Sequence, residues 1–357
     1  MSVLPGVTGS AAPRTRSPRH LTLLGGQVSV LLHRRSLLVG LALFALLLAT
    51  FLVALSIGGS QVPLDLVVRT LLGGGSRNSD FAVLRIRLPR AVLAVATGAA
   101  LGIAGSLFQG VTRNPLASPD VVGVQAGAAT GALTQIIVFG ASGGAVVAGA
   151  FVGGVLAIAV VLLVIPLRQA GGFRFILVGI AIAALCNGLN EFLTTRTDLT
   201  AALEAAIWQT GSLNNAKWPE GIPVFIALVV LVPVAVWVAS GLRTVALGDD
   251  LAAALGVPVT TVRLVALSVA VLLTVSATAG AGPMLFVALA AGQIAGRLLG
   301  RPGPSIAGAA MVGAVLVLVS DLVAARAFPE ALPAGIVTGV LGGVYLAFLL
   351  ARLWRTP

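Results

Sequence analysis

Residues 37–57 read LLVGLALFALLLATFLVALSI, and this run decides the class of fold. It contains no charged residue, and its length matches the roughly 20 apolar residues that a helix needs to cross a bilayer. Arg34 and Arg35 precede it, as basic residues precede the apolar part of a secretory signal peptide. That apolar part is only about 7–15 residues long, however, which is shorter than this run. Because equally apolar segments follow, we interpret 37–57 as the first of several membrane helices.

The composition of the whole chain leads to the same class. Of 357 residues, 58% are hydrophobic and 9% are charged, whereas a soluble domain has about 25% charged residues. A soluble chain could not cover so much apolar surface with polar groups. The composition therefore excludes a soluble enzyme, a disordered chain and a disulfide scaffold.

Residues typical of metal sites and of nucleophilic catalysis are scarce. The one cysteine, Cys186, lies inside an apolar run, and the two histidines, His20 and His33, lie in the basic N-terminal stretch. We therefore predict no metal site and no catalytic residues in this chain. An intramembrane enzyme, which would need a metal or a nucleophile with a base, is disfavoured for the same reason.

Charged, proline-rich and glycine-rich breaks divide the chain into ten apolar segments. We predict spans at 37–57, 89–110, 120–140, 145–167, 175–194, 221–240, 263–283, 285–300, 305–325 and 334–351. The predicted fold is all-α, a polytopic membrane protein of about ten transmembrane helices. It has a basic cytoplasmic tail, 1–36, and a single transmembrane domain, 37–357.

The distribution of charge predicts the orientation. The net charge is +11, and a cytoplasmic N-terminus places most of the 22 basic residues on the cytoplasmic side, as the positive-inside rule requires. Both termini are then cytoplasmic, and the basicity needs no nucleic-acid partner. Arg85, Arg87 and Arg90 break the pattern, since they fall in the external loop before the second span. Either they snorkel at a helix end, or an anionic partner docks on them.

Glycines recur every four residues in three places, and small residues let membrane helices approach closely. The spacing fits packing within the chain, and it equally fits a dimer seam or a translocation pathway. The three sets are Gly123, Gly127 and Gly131; Gly292, Gly296 and Gly300; and Gly335, Gly339 and Gly343.

Few polar side chains fall within the spans. We select Gln125, Asn187, Asn190 and Gln293 as candidates to line a hydrated pathway, and Asp321 as a structural partner at a helix end. The scarcity of intramembrane carboxylates and lysines disfavours an ion-coupled secondary transporter, which remains the alternative.

The loop 241–262 holds the most informative soluble segment. We predict a short helix that starts near Leu247 and Gly248, with Asp249 and Asp250 in its first turn, where the helix dipole favours acids. Leu251 and Leu255 give one apolar face, and Gly256 ends the helix. The segment either lies on lipid or inserts into the groove of a partner; its acidic residues favour a protein partner.

The chain cannot hydrolyse ATP through a Walker A loop. That loop requires a lysine followed by Ser or Thr, and the only lysine, Lys217, is followed by Trp218. If transport is driven by ATP, the ATPase is a separate chain.

Four stretches in order resemble the permease subunits of bacterial iron–siderophore and vitamin B12 ABC importers. Together they run from about residue 85 to the C-terminus. They are Arg87-Leu-Pro-Arg90 with Gly98–Gly102 and Gln109–Ala117; Gly123–Gly127 with Trp208–Leu213; Leu247-Gly248 to Gly256-Val257; and Asp321 with Leu332–Gly339.

The resemblance implies ten helices in each subunit, with both termini cytoplasmic, in the bacterial cytoplasmic membrane. It implies a second permease subunit, identical or not, two cytoplasmic ATPases that bind ATP and magnesium, and an extracytoplasmic substrate-binding protein. It also implies that Arg87, Arg90 and Arg326 dock the binding protein and that 247–256 couples to the ATPase. The cargo is expected to be a ferric siderophore or related iron chelate, with vitamin B12 or haem as alternatives.

The sequence departs from the family pattern at two places. Arg326 lies one residue later than the corresponding arginine of the family, and the loop after it is one residue shorter. The clearer departure is at residues 292 and 293. Gly292-Gln293 stands where the family usually has Pro-His. Any role that depends on that histidine is therefore absent here.

Overall fold

The computed structural model describes residues 19–23, 28–32, 34–58, 61–165, 172–214, 216–300, 303–327 and 331–355, with side chains from 34 to 351 except 350. Within these ranges the chain forms a helical bundle preceded by one antiparallel hairpin. The strands are β1 (Arg19–Leu23) and β2 (Val28–Leu32). The helices are α1 (Arg34–Ser56), α2 (Leu64–Leu71), α3 (Arg77–Asp80), α4 (Leu88–Thr112), α5 (Val124–Leu133), α6 (Gly144–Val164), α7 (Phe173–Thr195), α8 (Leu199–Gln209), α9 (Trp218–Val245), α10 (Asp249–Ala254), α11 (Val259–Ala281), α12 (Val287–Leu299), α13 (Ile306–Arg326) and α14 (Ala334–Arg355).

The long and apolar helical segments match the predicted membrane spans in number and order. Among the described residues, seven helical segments are long and apolar enough to cross a membrane, and three shorter apolar segments accompany them. The three are Val124–Val138, Val287–Leu299 and Ala334–Leu349. Together they coincide with the ten predicted segments, which confirms the all-α, polytopic fold.

The second span begins earlier than the sequence predicts. Helix runs without a break from Arg77 to Thr112, because α3 continues through a wider π-helical turn, Phe81–Arg87, into α4. Pro89 has no N–H to donate one turn back, and the wider turn accommodates its ring. The three clustered arginines therefore lie in a helix, and their assignment to a loop was wrong.

Other parts of the structure also differ from the prediction. The third span starts at Val124, because Pro119–Val122 forms a 3-10 turn that ends at Gly123, with φ 82°. The short helices α2 and α8 were not predicted, since neither belongs to a long apolar run. The loop 241–262 is shorter than proposed, because α9 continues to Val245 and α11 begins at Val259.

The bundle is built around α4, which packs along α11, α12 and α13. Its crossing with α13 is close: a Cβ added at Gly98 would lie 2.3 Å from the carbonyl oxygen of Gly313, and one at Gly102 would lie 2.1 Å from that of Ala309. In a bilayer such backbone proximity replaces the hydrophobic drive that soluble helices use. The helix that carries Arg90 at one end and Arg113 at the other is therefore held firmly along its length.

The structure gives the nine selected glycines different surroundings. Gly127 and Gly131 lie against α6, where a Cβ at Gly131 would come within 2.0 Å of the Gly149 oxygen. Gly335 contacts the loop after α8, whereas Gly296 and Gly343 face open space. The four-residue spacing predicts that each set lines one helix face, which is wrong for two of the sets, because Gly123 precedes α5 and Gly300 follows α12. The remaining members, Gly292 and Gly339, face Gln109 and Leu285.

Candidate functional site

Two opposite ends of the bundle carry the polar side chains of interest. At one end, here the Asp321 end, Arg90 of α4 binds Asp321 of α13. Arg90 Nε donates to Asp321 Oδ2 at 2.7 Å, and Nη2 donates to Oδ1 at 2.8 Å. The Asp321 side chain is only 7% exposed, so the carboxylate needs this counter-charge. The prediction that Asp321 serves as a partner at a helix end agrees with this geometry.

Arg87 lies beside this ion pair and contacts the end of α1. It is buried, and its Nη1 donates to the carbonyl oxygens of Leu55 and Ser56, each at 2.8 Å. The last carbonyls of a helix lack partners within the helix, and a cation there also faces the negative end of the helix dipole. The guanidinium therefore caps α1.

Arg326, at the end of α13, completes the group predicted from the sequence. The three arginines line one small cavity of about 130 Å³ together with Asp321. Of the three, Arg326 is exposed, as is Arg85 on the neighbouring π-helical turn. The structure thus brings together all three predicted docking residues and leaves Arg326 the most open to a partner.

At the opposite end, here the α10 end, the predicted short helix is present. Its bounds are Asp249–Ala254; Gly248 precedes it with φ 121°, and Gly256 follows it with φ 80°. Leu247, Leu251 and Leu255 are 65%, 50% and 61% exposed, whereas Ala252 on the other face is fully buried. Asp250 shares the first turn with Asp249. The helix and the residues on either side of it therefore present leucines away from the bundle.

Asp249 is held by two arginines from other helices. Its Oδ1 accepts a hydrogen bond from Arg263 Nη2 at 2.9 Å and another from Arg113 Nη2. Arg113, the residue that ends α4, also donates to the carbonyl of Val245, the last residue of α9. Partial burial acts to raise the pKa of Asp249, but Arg263 and Arg113 together hold it below its ordinary value of 3.8.

The four candidate pathway residues do not form one cluster. Gln125 donates to Asp120 at 3.1 Å, and Gln293 donates to the carbonyl of Pro115 at 2.7 Å, so both bind the segment between α4 and α5. Asn190 is buried and lies 3.4 Å from the carbonyl of Ala126, whereas Asn187 on the same helix is exposed. A separate cavity of about 660 Å³, lined mainly by apolar side chains, lies between α5, α6 and α7.

Sequence reasoning missed Arg113 and Arg263 as members of a site. A signal was available in the sequence: Arg113 follows an apolar span and Arg263 begins one, both at the α10 end. Arg35 shows the same behaviour: it donates to the carbonyls of Arg297 and Leu298 at the end of α12. Cations at helix C-termini are favoured by the exposed carbonyls there. Counting basic residues on each side of the membrane predicts the orientation but does not identify the carbonyls that each arginine binds.

In the part of the chain that the structure describes, ten apolar helical segments form the bundle of a polytopic membrane protein, with an arginine group at one end and a short helix with exposed leucines at the other. Residues 46–352 match the model of the FecCD transport family, and the chain belongs to that family.

Individual relatives match over nearly the full chain. The ferric enterobactin transport system permease protein of Escherichia coli (strain K12) is 38% identical over 90% of this chain and 98% of its own. The Fe(3+)-citrate import system permease protein of Bacillus subtilis (strain 168) is 35% identical over 89% and 96%. The hemin transport system permease protein of Yersinia pestis is 33% identical over 85% and 94%.

A solved structure shows the same fold. An inward-facing conformation of a metal-chelate type ABC transporter matches with a TM-score of 0.78, covering 88% of this chain and 99% of its own, at 24% identity.

Proposed function

We propose that this chain is the membrane-spanning subunit of an ATP-binding-cassette importer that carries a ferric siderophore or related iron chelate across the bacterial cytoplasmic membrane. The names of the relatives support the cargo class, because they include permeases for ferric enterobactin, ferric citrate, achromobactin and ferric hydroxamates. Membership of the FecCD transport family supports the transport role.

The observation that carries this proposal is the exposed face of α10. Leu251 on this six-residue helix and the flanking Leu247 and Leu255 are all exposed, and the helix lies between two spans. Apolar side chains at that spacing suit insertion into the groove of a partner protein. Because the sequence has no Walker A loop, the partner that supplies energy is a separate ATPase, and ATP and magnesium bind there. The permease itself performs no chemistry and binds no cofactor.

The α10 end is then cytoplasmic and the Asp321 end external, with both termini in the cytoplasm. At the external end a substrate-binding protein delivers the chelate and docks near Arg87, Arg90 and Arg326. Arg326, the exposed one of the three, suits an acidic surface, because an arginine steers association and pairs with a carboxylate through two parallel hydrogen bonds. The complete transporter contains two permease subunits, two ATPases and one binding protein.

Reconstitution with defined components tests the proposal. The permease, an ATPase and a binding protein encoded beside it are placed in proteoliposomes, and uptake of radiolabelled ferric chelates, haem and vitamin B12 is measured. We expect uptake of an iron chelate that requires both ATP and the binding protein. Uptake of haem or vitamin B12 instead would correct the cargo. Uptake that persists without ATP and collapses with an ion gradient would overturn the proposal in favour of a secondary transporter.

A further inference from the structure

We propose that Arg113 is a positioning residue that links the docking helix α10 to the central helix α4, through a charge clamp formed with Asp249 and Arg263. This inference rests on the proposed function, since it assumes that α10 receives the movement of an ATPase. It assigns the transmission of that movement to one guanidinium.

The first argument is that α10 has little packing of its own. It is six residues long, and Ala252 is the residue that it buries. Gly248 and Gly256 flank it, and no atom outside their own segments lies within 4 Å of a Cβ built at either position. A helix this short gains almost nothing from its own hydrogen bonds. Its orientation therefore depends on contacts that its side chains make with the bundle.

The second argument is that those contacts converge on a single carboxylate. Asp249 is the first residue of α10, and its Oδ1 accepts from both Arg113 and Arg263. Arg113 also donates to Val245, at the end of α9. The Arg113 guanidinium thus contacts both the end of α9 and the first residue of α10, and Arg113 itself directly follows α4.

The third argument separates the two arginines by what they connect. Arg263 belongs to α11, only 14 residues from Asp249, so its bond closes a local turn. Arg113 is 136 residues away, and it ends a helix that packs on α9, α11, α12 and α13. Its backbone lies in the left-handed region, with φ 50°, a conformation that non-glycine residues keep only where surrounding contacts stabilise it. A movement of α10 reaches the core of the bundle through Arg113.

The test uses the complete transporter and the variant Arg113→Gln. We expect the ATPase to co-purify as with the unmodified permease, while chelate uptake for each ATP hydrolysed falls about tenfold, the effect of losing one charge-assisted hydrogen bond. Arg113→Lys should recover part of the loss. The double variant Arg113→Gln, Asp249→Asn should be no worse than the poorer single variant, because both remove the same contact. Arg243→Gln, an exposed arginine at the same end, is the matched control.

Spin labels give a second readout that a merely structural role would not move. With one label on α10 and one on α4, nucleotide should move both helices in the unmodified transporter and α10 alone in Arg113→Gln. Normal uptake per ATP in Arg113→Gln would overturn the clamp and leave the proposed function intact. Loss of ATPase binding in that variant would also overturn it, since the residue would then only shape the docking surface. Failure of the unmodified permease to bind any ATPase would instead contradict the proposed function.

Discussion

Arg90 and Asp321 join α4 to α13 through two parallel hydrogen bonds, 2.7 and 2.8 Å long. Both oxygens of the carboxylate and two nitrogens of the guanidinium are used, which is the most directional geometry open to this pair of side chains. The pair lies near the Asp321 end of α4 and α13, which pack closely against each other. It explains why a span of otherwise apolar residues keeps an aspartate.

The first prediction concerns this pair. Asp321→Asn should lower the free energy of unfolding by roughly 3 kcal/mol, because it leaves the partly buried Arg90 without a counter-charge. Thermal unfolding of the detergent-solubilised permease measures the effect. Arg85→Gln, an exposed arginine on the same helical segment, should change the melting temperature little. Equal melting temperatures for Asp321→Asn and the unmodified protein would show that the pair contributes nothing to stability.

The second prediction identifies the cleanest probe of docking. Charge reversal at Arg87 or Arg90 would disturb the cap of α1 or the pair with Asp321, so weaker docking in those variants would be ambiguous. Arg326→Glu should weaken binding of the substrate-binding protein at least tenfold, with folding unchanged, because the side chain is exposed. Binding measured on sensor-immobilised permease at low and high salt checks this. An affinity that is unaltered at low salt would remove Arg326 from the docking surface.

The sequence predicted the number of spans because each span is an apolar run long enough for a bilayer, a signal that needs no tertiary information. It also predicted α10 from two glycines, two acids and a leucine spacing. Boundaries were less predictable where a span is polar at its end. The helix from Arg77 to Leu88 carries four charged residues besides its apolar ones, and hydropathy alone cannot distinguish it from a loop.

The partners of the arginines could not be predicted from the sequence. Arg35, Arg87 and Arg113 each bind carbonyls at the end of a helix other than their own, namely α12, α1 and α9. Such contacts join residues that are between 31 and 263 positions apart, so local pattern does not encode them. Their common physical cause is that helix carbonyls near a membrane need donors. Some of the basic residues that predict the orientation of the chain therefore also cap the ends of helices.

The third prediction tests the docking face of α10. Leu251→Ala with Leu255→Ala should reduce ATPase binding by at least tenfold, because each leucine buried at an interface contributes about 2 kcal/mol. Permease stability should not change, since both side chains are exposed. Co-purification and titration with the isolated ATPase provide the measurement. Leu72→Ala, exposed at the other end of the bundle, is the control, and an equal effect of the two changes would contradict the assignment.

The fourth prediction concerns the crossing of α4 and α13. Gly102→Ala should destabilise the permease by about 1–3 kcal/mol, the usual cost of overpacking, because its Cβ would lie 2.1 Å from the Ala309 oxygen. Gly188→Ala is a matched control within α7, where no atom beyond the neighbouring residues and the helix's own backbone lies within 4 Å of the added Cβ. If the two variants melt at the same temperature, the helices are free to separate and the crossing is not a constraint.

The fifth prediction follows from the lowered pKa of Asp249. A carboxylate whose pKa is lower in the folded protein stabilises the fold at every pH above its unfolded value, and that contribution disappears as pH falls through the lowered folded value. Its ordinary pKa is 3.8, so the clamp should hold α10 unchanged from neutral pH down to about 5 and release it only below about 4. Hydrogen exchange of the α10 amides across this range measures the release. In Asp249→Asn the backbone amides of α10 should exchange rapidly even at neutral pH. The neutral asparagine side chain cannot supply the charge that Arg113 and Arg263 bind. Slow exchange in that variant would mean that packing of Ala252, rather than the clamp, orders the helix.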